Sequence, residues 1–422
     1  MTLTELPSKN QQGGPHLTLA DPRHRKAEVS GGHEARDLSI FAGLLFLPLG
    51  LHLPYFPVWL AARGLTAEEI AAAIATPLVA RVIATPLIAA FADKRGVGLA
   101  VTACALTVFA TYCGLRFGSG FAPIFAGAVL VSVAMGSMPA LADALTLSEI
   151  RHAETDGRPP IAYGHIRVWT SIGVLATMLA SAAIVEALPG EQIIVALILL
   201  SLPSVGAALF AAIRMNRAHL YAGATAGRLT ADSARLRLAL LTIAAAALIQ
   251  ASHAEVYAFG TIRWRAAGLS PGAIGAAWAV GVGAEILIFL LAARYFRSER
   301  SAVPLLLLGA AGAALRWTAM SFAPGAEAVI ALQTLHAFSF GATTCGSVLL
   351  LGALASATHR ARMQGWLAAA GALSLAAATY GSGWLTARFG DEAYLAMAAL
   401  AATGGVIALA AGWLKRGLQI TG

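Results

Sequence analysis

Residues 312–322 read GAALRWTAMSF. Arg316 follows about a dozen uncharged residues, back to Val303, and precedes several more, so it falls near the centre of an apolar stretch long enough to cross a bilayer. A charged residue at a helix centre costs roughly 2.5 to 3.5 kcal/mol on insertion scales. Such a side chain has to face protein or a watery space, not lipid.

The rest of the chain is apolar in the same way. Of its 422 residues 58% are hydrophobic and 12% charged, where a soluble domain carries about 25% charged residues. Windows of about 20 apolar residues give twelve spans, at 38–62, 69–91, 97–116, 121–148, 161–187, 192–214, 237–260, 272–296, 303–322, 325–352, 362–388 and 391–414. The expected architecture is an all-α multi-pass membrane protein with an N-terminal six-helix lobe (38–214) and a C-terminal six-helix lobe (237–414). A cytoplasmic inter-lobe loop (215–236), a flexible cytoplasmic tail (1–37) and a short C-terminal tail (415–422) complete it. The first tail carries His16, His24 and His33 but no apolar core with a cleavage site, so it is expected to be retained and disordered rather than metal-binding. Cys104, Cys113 and Cys345 fall inside spans, where thiols serve as small packing residues.

Charge fixes the expected orientation. Of the 29 Lys and Arg, 21 lie on the side that holds both termini, 5 lie on the other, and Arg81, Arg167 and Arg316 lie within spans. The positive-inside rule puts both termini in the cytoplasm and the protein in the cell (inner) membrane. The net charge of +8 then reflects lipid contact, and no nucleic-acid partner is expected.

Besides those arginines, the spans contain Asp143, Glu255, Glu285, His253 and His336. Three cations face three carboxylates, and histidine can change charge near neutral pH. Glu285, Arg316 and His336 lie about 11 to 13 residues into their spans, near mid-membrane at about 1.5 Å per residue. Asp143 and Arg167 share a depth nearer the cytoplasm. The pattern reads as one polar cluster per lobe on a substrate or ion pathway, against the alternative of structural ion pairs. Pro54, Pro57, Pro77, Pro86 and Pro139 are positioned to kink helices.

Seven segments carry a family resemblance: HLPYFPVWL (52–60), FADKRG (91–96), YGHIRVW (163–169), QASHAEVYAF (250–259), GAEILIF (283–289), LRWTAM (315–320) and LQTLHAFSFG (332–341). In this order they resemble the major facilitator superfamily, within it the phenylpropionate permease group and, more distantly, lactose permease. The resemblance implies the major facilitator fold and gives Arg167 and Asp143 the place of a substrate-anchoring pair. It also makes Glu285, Arg316 and His336 resemble a substrate and proton network, and Asp93 a latch on the cytoplasmic face, where Arg81 is also expected to gate. Gln333 and Ser339 stand where lactose permease has a lysine and its proton-carrying glutamate, so Glu285, Glu255, His253 and His336 are the candidate proton groups. Val174 replaces a sugar-stacking tryptophan, which disfavours a galactoside.

The expected function is proton-coupled symport of a small solute, best an aromatic monocarboxylate, by alternating access. Arg167, Arg316 and Asp143 would meet the solute with Tyr55, Trp169, Tyr257 and His336. Rival readings are a proton-driven exporter of amphipathic compounds or a nucleoside or sugar symporter, and more remotely a membrane sensor or intramembrane enzyme. No HExxH, CxxC pair or Walker loop is present, so neither enzymatic chemistry, a metal nor a cofactor is expected. A single chain with both lobes is expected to work as a monomer.

Overall fold

The computed structural model describes residues 22–157, 163–188, 190–215, 233–296, 299–354 and 360–420. Among them the regular structure is entirely helical. The N-terminal half contains α1 (Pro22–Leu45), α2 (Leu47–Ala62), α3 (Ala67–Arg95), α4 (Val97–Phe117), α5 (Phe121–Thr155), α6 (Tyr163–Ala187) and α7 (Ile193–Arg214). The C-terminal half contains α8 (Ser233–Ala251), α9 (Thr261–Ala266), α10 (Pro271–Tyr295), α11 (Ala302–Met320), α12 (Ala326–Gln333), α13 (Thr343–Leu354), α14 (Arg360–Phe389) and α15 (Ala393–Ile420). Eleven segments are long and apolar enough to cross a bilayer, and the last, Arg362–Leu418, spans 57 residues. That segment holds both α14 and α15, each longer than a hydrocarbon core of about 30 Å. Counting them separately gives twelve crossings, so both chain ends lie on one face, called here the terminal face. Helix α1 starts at Pro22, inside the stretch expected as a tail. Residues 1–21, the side chains of His24 and His33, and 216–232 of the inter-lobe loop lie outside the described residues.

The halves repeat each other at their first turn on the opposite, distal face. After α2, Gly64 (φ +81°) donates to Ala61 O at 2.9 Å and Leu65 donates to Leu60 O at 3.3 Å. After α9, Gly268 (φ +83°) donates to Arg265 O at 3.0 Å and Leu269 to Trp264 O at 2.9 Å. Both are Schellman turns, which need a left-handed residue that glycine adopts without strain. Each feeds directly into an N-cap: Thr66 in a capping box with Glu69, and Ser270 accepting from Ala273 N. The shared sequence is Gly-Leu followed by a hydroxyl residue.

Three crossings are broken rather than continuous. The first breaks at Phe46 between α1 and α2. Pro48 cannot donate to Leu44 O, and Ser204 of α7 does so instead at 3.0 Å. The seventh crossing passes from α8 into a π-helical turn, Val256–Gly260, and the tenth from α12 into another, Ala337–Ala342. These breaks lie beside His253 and around Ser339, and π turns of this kind are frequent at functional sites.

The halves touch through α3 with α14, α6 with α10, and α2 with α9. The contact is close at the distal face. A Cβ on Gly383 of α14 would meet Ala71 Cβ at 2.6 Å and Ala67 O at 3.0 Å. Apart from Ala92, the buried residues of α3 lie in its distal part, from Ile70 to Pro77, while Ile83, Leu87 and Phe91 nearer the terminal face are exposed. The two halves therefore splay apart toward the terminal face.

Candidate functional site

The first polar region lies within the C-terminal half. Glu285 of α10 stands 3.4 Å from Nε2 of His336, whose Nδ1 lies 3.2 Å from Nη1 of Arg316. Arg316 also donates to Gln333 Oε1 and, at 3.4 Å, to Ser339 Oγ. Ser339 Oγ is 3.0 Å from Nε2 of His253, whose Nδ1 is 3.0 Å from Gln250 O. The direction of every bond follows, because guanidinium only donates and a carbonyl only accepts. His336 Nδ1 must be the lone pair facing Arg316, so its proton sits on Nε2 and points to Glu285. His253 must carry its proton on Nδ1, so Nε2 accepts from Ser339. One oriented chain thus links four helical crossings. Arg316 is 2% exposed and its guanidinium carbon lies 4.4 Å over the Trp317 ring. Glu285 is the accessible end, with a side chain 24% exposed.

Glu255, two residues past His253, belongs to a different cluster. Thr386 of α14 donates to its Oε1 at 2.6 Å, while its Oε2 has no hydrogen-bond partner among the described residues. Nearby, Arg263 binds Asp391 at 2.5 Å and pins the end of α9 to the α14–α15 turn.

The second region is a cavity of about 330 Å³ between the halves. Leu49, His52, Leu53, Phe56 and Pro57 of α2 form one wall; Ala73, Ile74, Pro77, Leu78 and Arg81 of α3 form another. Ser132, Met135, Gly136 and Pro139 of α5 close the N-terminal side, and Tyr257, Leu375 and Thr379 come from the other half. Pro57, Pro77 and Pro139 each stand four residues beyond another wall residue, Leu53, Ala73 and Met135. Each proline removes the hydrogen bond to that residue's carbonyl and so loosens its helix there. Three helices so loosened explain why space exists at this level. Tyr257 joins the regions, since its ring borders the cavity and stacks on His253 at 5.6 Å.

The remaining expected residues lie apart from these two regions. Arg167 and Asp143 form an ion pair at 3.2 Å, to which Tyr163 adds a bond at 2.9 Å; the pair is partly exposed. Trp169 is 47% exposed, with its backbone against Gly43 of α1, and Tyr55 is fully buried in the packed part of α2. Neither Trp169 nor Tyr55 borders the cavity. Asp93 sits near the terminal end of α3, with Oδ1 unpartnered among the described residues. Phe56, Gly136, Leu375 and Thr379 were not foreseen as site residues. Prolines on the same helices hinted at Phe56 and Gly136; α14, which carries Leu375 and Thr379, has none.

Two helical halves that close at one face, part toward the other and enclose a central cavity define a multi-pass membrane transporter rather than an enzyme. The chain belongs to the MFS_1 like family, whose model matches residues 36–390. It is 28% identical over 303 residues, 71% of this chain and 77% of the relative, to the probable 3-phenylpropionic acid transporter of Escherichia coli (strain K12). Among solved structures it is similar to the nucleoside transporter NupG, with a TM-score of 0.73, 17% identity, and 90% and 98% of the two chains covered. It is also similar to a bacterial homolog of the human lysosomal transporter Spinster, with a TM-score of 0.67, 13% identity, and 91% and 97% covered. At such identities these structures speak for the fold alone.

Proposed function

We propose that this chain is a proton-coupled symporter that imports an aromatic monocarboxylate, a phenylpropionate-like acid, across the inner membrane by alternating access of its halves. The observation that carries this reading is the inter-half cavity, apolar with an arginine in its wall, and one tyrosine ring away from the Glu285–His336–Arg316 chain. An apolar wall suits a ring and a cation suits a carboxylate. The relative's printed solute, 3-phenylpropionic acid, has both groups.

Proton coupling follows from charge. Carrying one anion into a negative interior costs about 2.3 kcal/mol per 100 mV, and a proton taken up with it cancels that charge. Glu285, as the accessible end of its chain, is the proposed carrier; His336 and Arg316 set its surroundings, and Glu255 and His253, in separate clusters, are the other buried proton groups. The Arg167–Asp143 pair, with Trp169, receives solute on the open side, Tyr257 and Tyr55 support the cavity, and Asp93 gates the terminal face. The termini are cytoplasmic and one chain suffices.

Reconstituted into proteoliposomes, the protein should accumulate labelled 3-phenylpropionate under an inward proton gradient, and a protonophore should abolish that accumulation. Net loss of the acid under the same gradient would favour export. Accumulation of uridine with indifference to the acid would move the solute to the nucleosides.

A further inference from the structure

Arg81 is the middle residue of α3, fourteen positions from Ala67 and fourteen from Arg95, which puts it about 21 Å from either end. A cation at that depth is costly unless something offsets it. Its Nη2 makes one long bond, 3.4 Å to Gly136 O, and among the described residues no carboxylate lies within ion-pair distance.

The acids on the surrounding helices are all distant or engaged. On α3 the nearest in sequence are Glu69 and Asp93, each twelve residues away, and α2 and α14 contain none. On α5 the nearest in sequence to Gly136 is Asp143, about 10 Å along the axis and already held by Arg167 and Tyr163. Glu255, close in sequence to Tyr257, is turned to Thr386. The guanidinium is nonetheless seated: a Cβ at position 136 would collide with its Nε and Cζ, so only glycine leaves it room against α5. The cavity that Arg81 borders also has Leu53, Phe56, Met135 and Leu375 in its wall.

We propose that Arg81 is the carboxylate-binding group of the cavity, with the ring of the solute against Phe56, Leu53 and Leu375. The assignment rests on the aromatic-acid reading above and gives a binding role to a residue expected from the sequence as a gate. It also separates the three membrane arginines by task. Arg316 is engaged by Gln333, His336 and Ser339 and Arg167 by Asp143, whereas Arg81 has no side-chain partner among the described residues and keeps its donors for an anion.

The test is equilibrium binding of 3-phenylpropionate and of its neutral amide to purified protein, with each variant's melting temperature measured alongside. Wild type should prefer the acid, and Arg81→Gln should weaken the acid by about ten- to a hundredfold while leaving the amide unchanged, as expected for loss of a charge-assisted bond. Arg81→Lys should fall between them. Gly136→Ala, which crowds the guanidinium without removing it, should weaken the acid selectively too. Unchanged acid affinity in Arg81→Gln would overturn the assignment and leave the aromatic-acid reading standing. An Arg81→Gln protein that melts far below wild type would overturn it as well, by making Arg81 a structural residue. Indifference of wild type to both probes would bring down the aromatic-acid reading, and this assignment with it.

Discussion

Arg316 and Arg81 occupy similar depths in opposite halves, yet their surroundings differ in kind. Around Arg316, Gln333, His336 and Ser339 accept from its two terminal nitrogens, and Trp317 covers its face. Around Arg81 there is one backbone carbonyl and an apolar cavity. A buried charge with partners serves the fold, because removing it strands every group that answered to it. A buried charge without them is available to a ligand. Position in a span is the same for both, so the difference lies in neighbours contributed by other helices.

The sharpest way to break this contrast is Arg316→Leu. Three polar partners would be stranded at about 1–3 kcal/mol each, so the melting temperature in detergent should fall on the order of 10 °C or more; a wild-type melt would erase the distinction. Next is Glu285→Gln, which keeps an oxygen for His336 but cannot take up a proton. Accumulation driven by a pH gradient should disappear while solute exchange between the two sides of the vesicle continues, and intact accumulation would free Glu285 from the coupling role. Gly64→Ala and Gly268→Ala test where the halves are alike instead of different. Both impose a positive φ on a side chain, so each should lower stability by about 1 kcal/mol and to a similar degree, read as matched small shifts in melting. Arg167→Ala should have the least effect on stability, about 0–1 kcal/mol for a partly exposed pair, and a large melting shift would place Arg167 with Arg316 among the structural charges.

Much of this fold was legible because hydrocarbon imposes a simple rule on length and polarity. The apolar spans and the shared depth of Glu285, Arg316 and His336 follow from counting apolar residues and locating charges. Facing directions were harder. Tyr55 and Trp169 stood out as cavity residues, but a helix apolar on every side gives no amphipathic stripe to orient it, and packing turned Tyr55 into the closed interface and Trp169 away from the cavity. The breaks at Phe46, Val256–Gly260 and Ala337–Ala342 were invisible for a related reason. At Phe46 the break depends on a partner from elsewhere in the chain, since Ser204 supplies the hydrogen bond that Pro48 cannot. The repeated Gly-Leu-hydroxyl turn was present in plain letters, yet it is hidden among 43 glycines.

The fixed polarity of the Glu285–Gln250 chain limits how protons can travel. A relay needs each link to accept on one side and release on the other, but Arg316 holds its hydrogens permanently and the Gln250 carbonyl has none to give. The chain is therefore a dead end for conduction in this conformation. If Glu285 carries the proton as proposed, that proton has to come and go by the exposed side of its carboxylate and not along the chain.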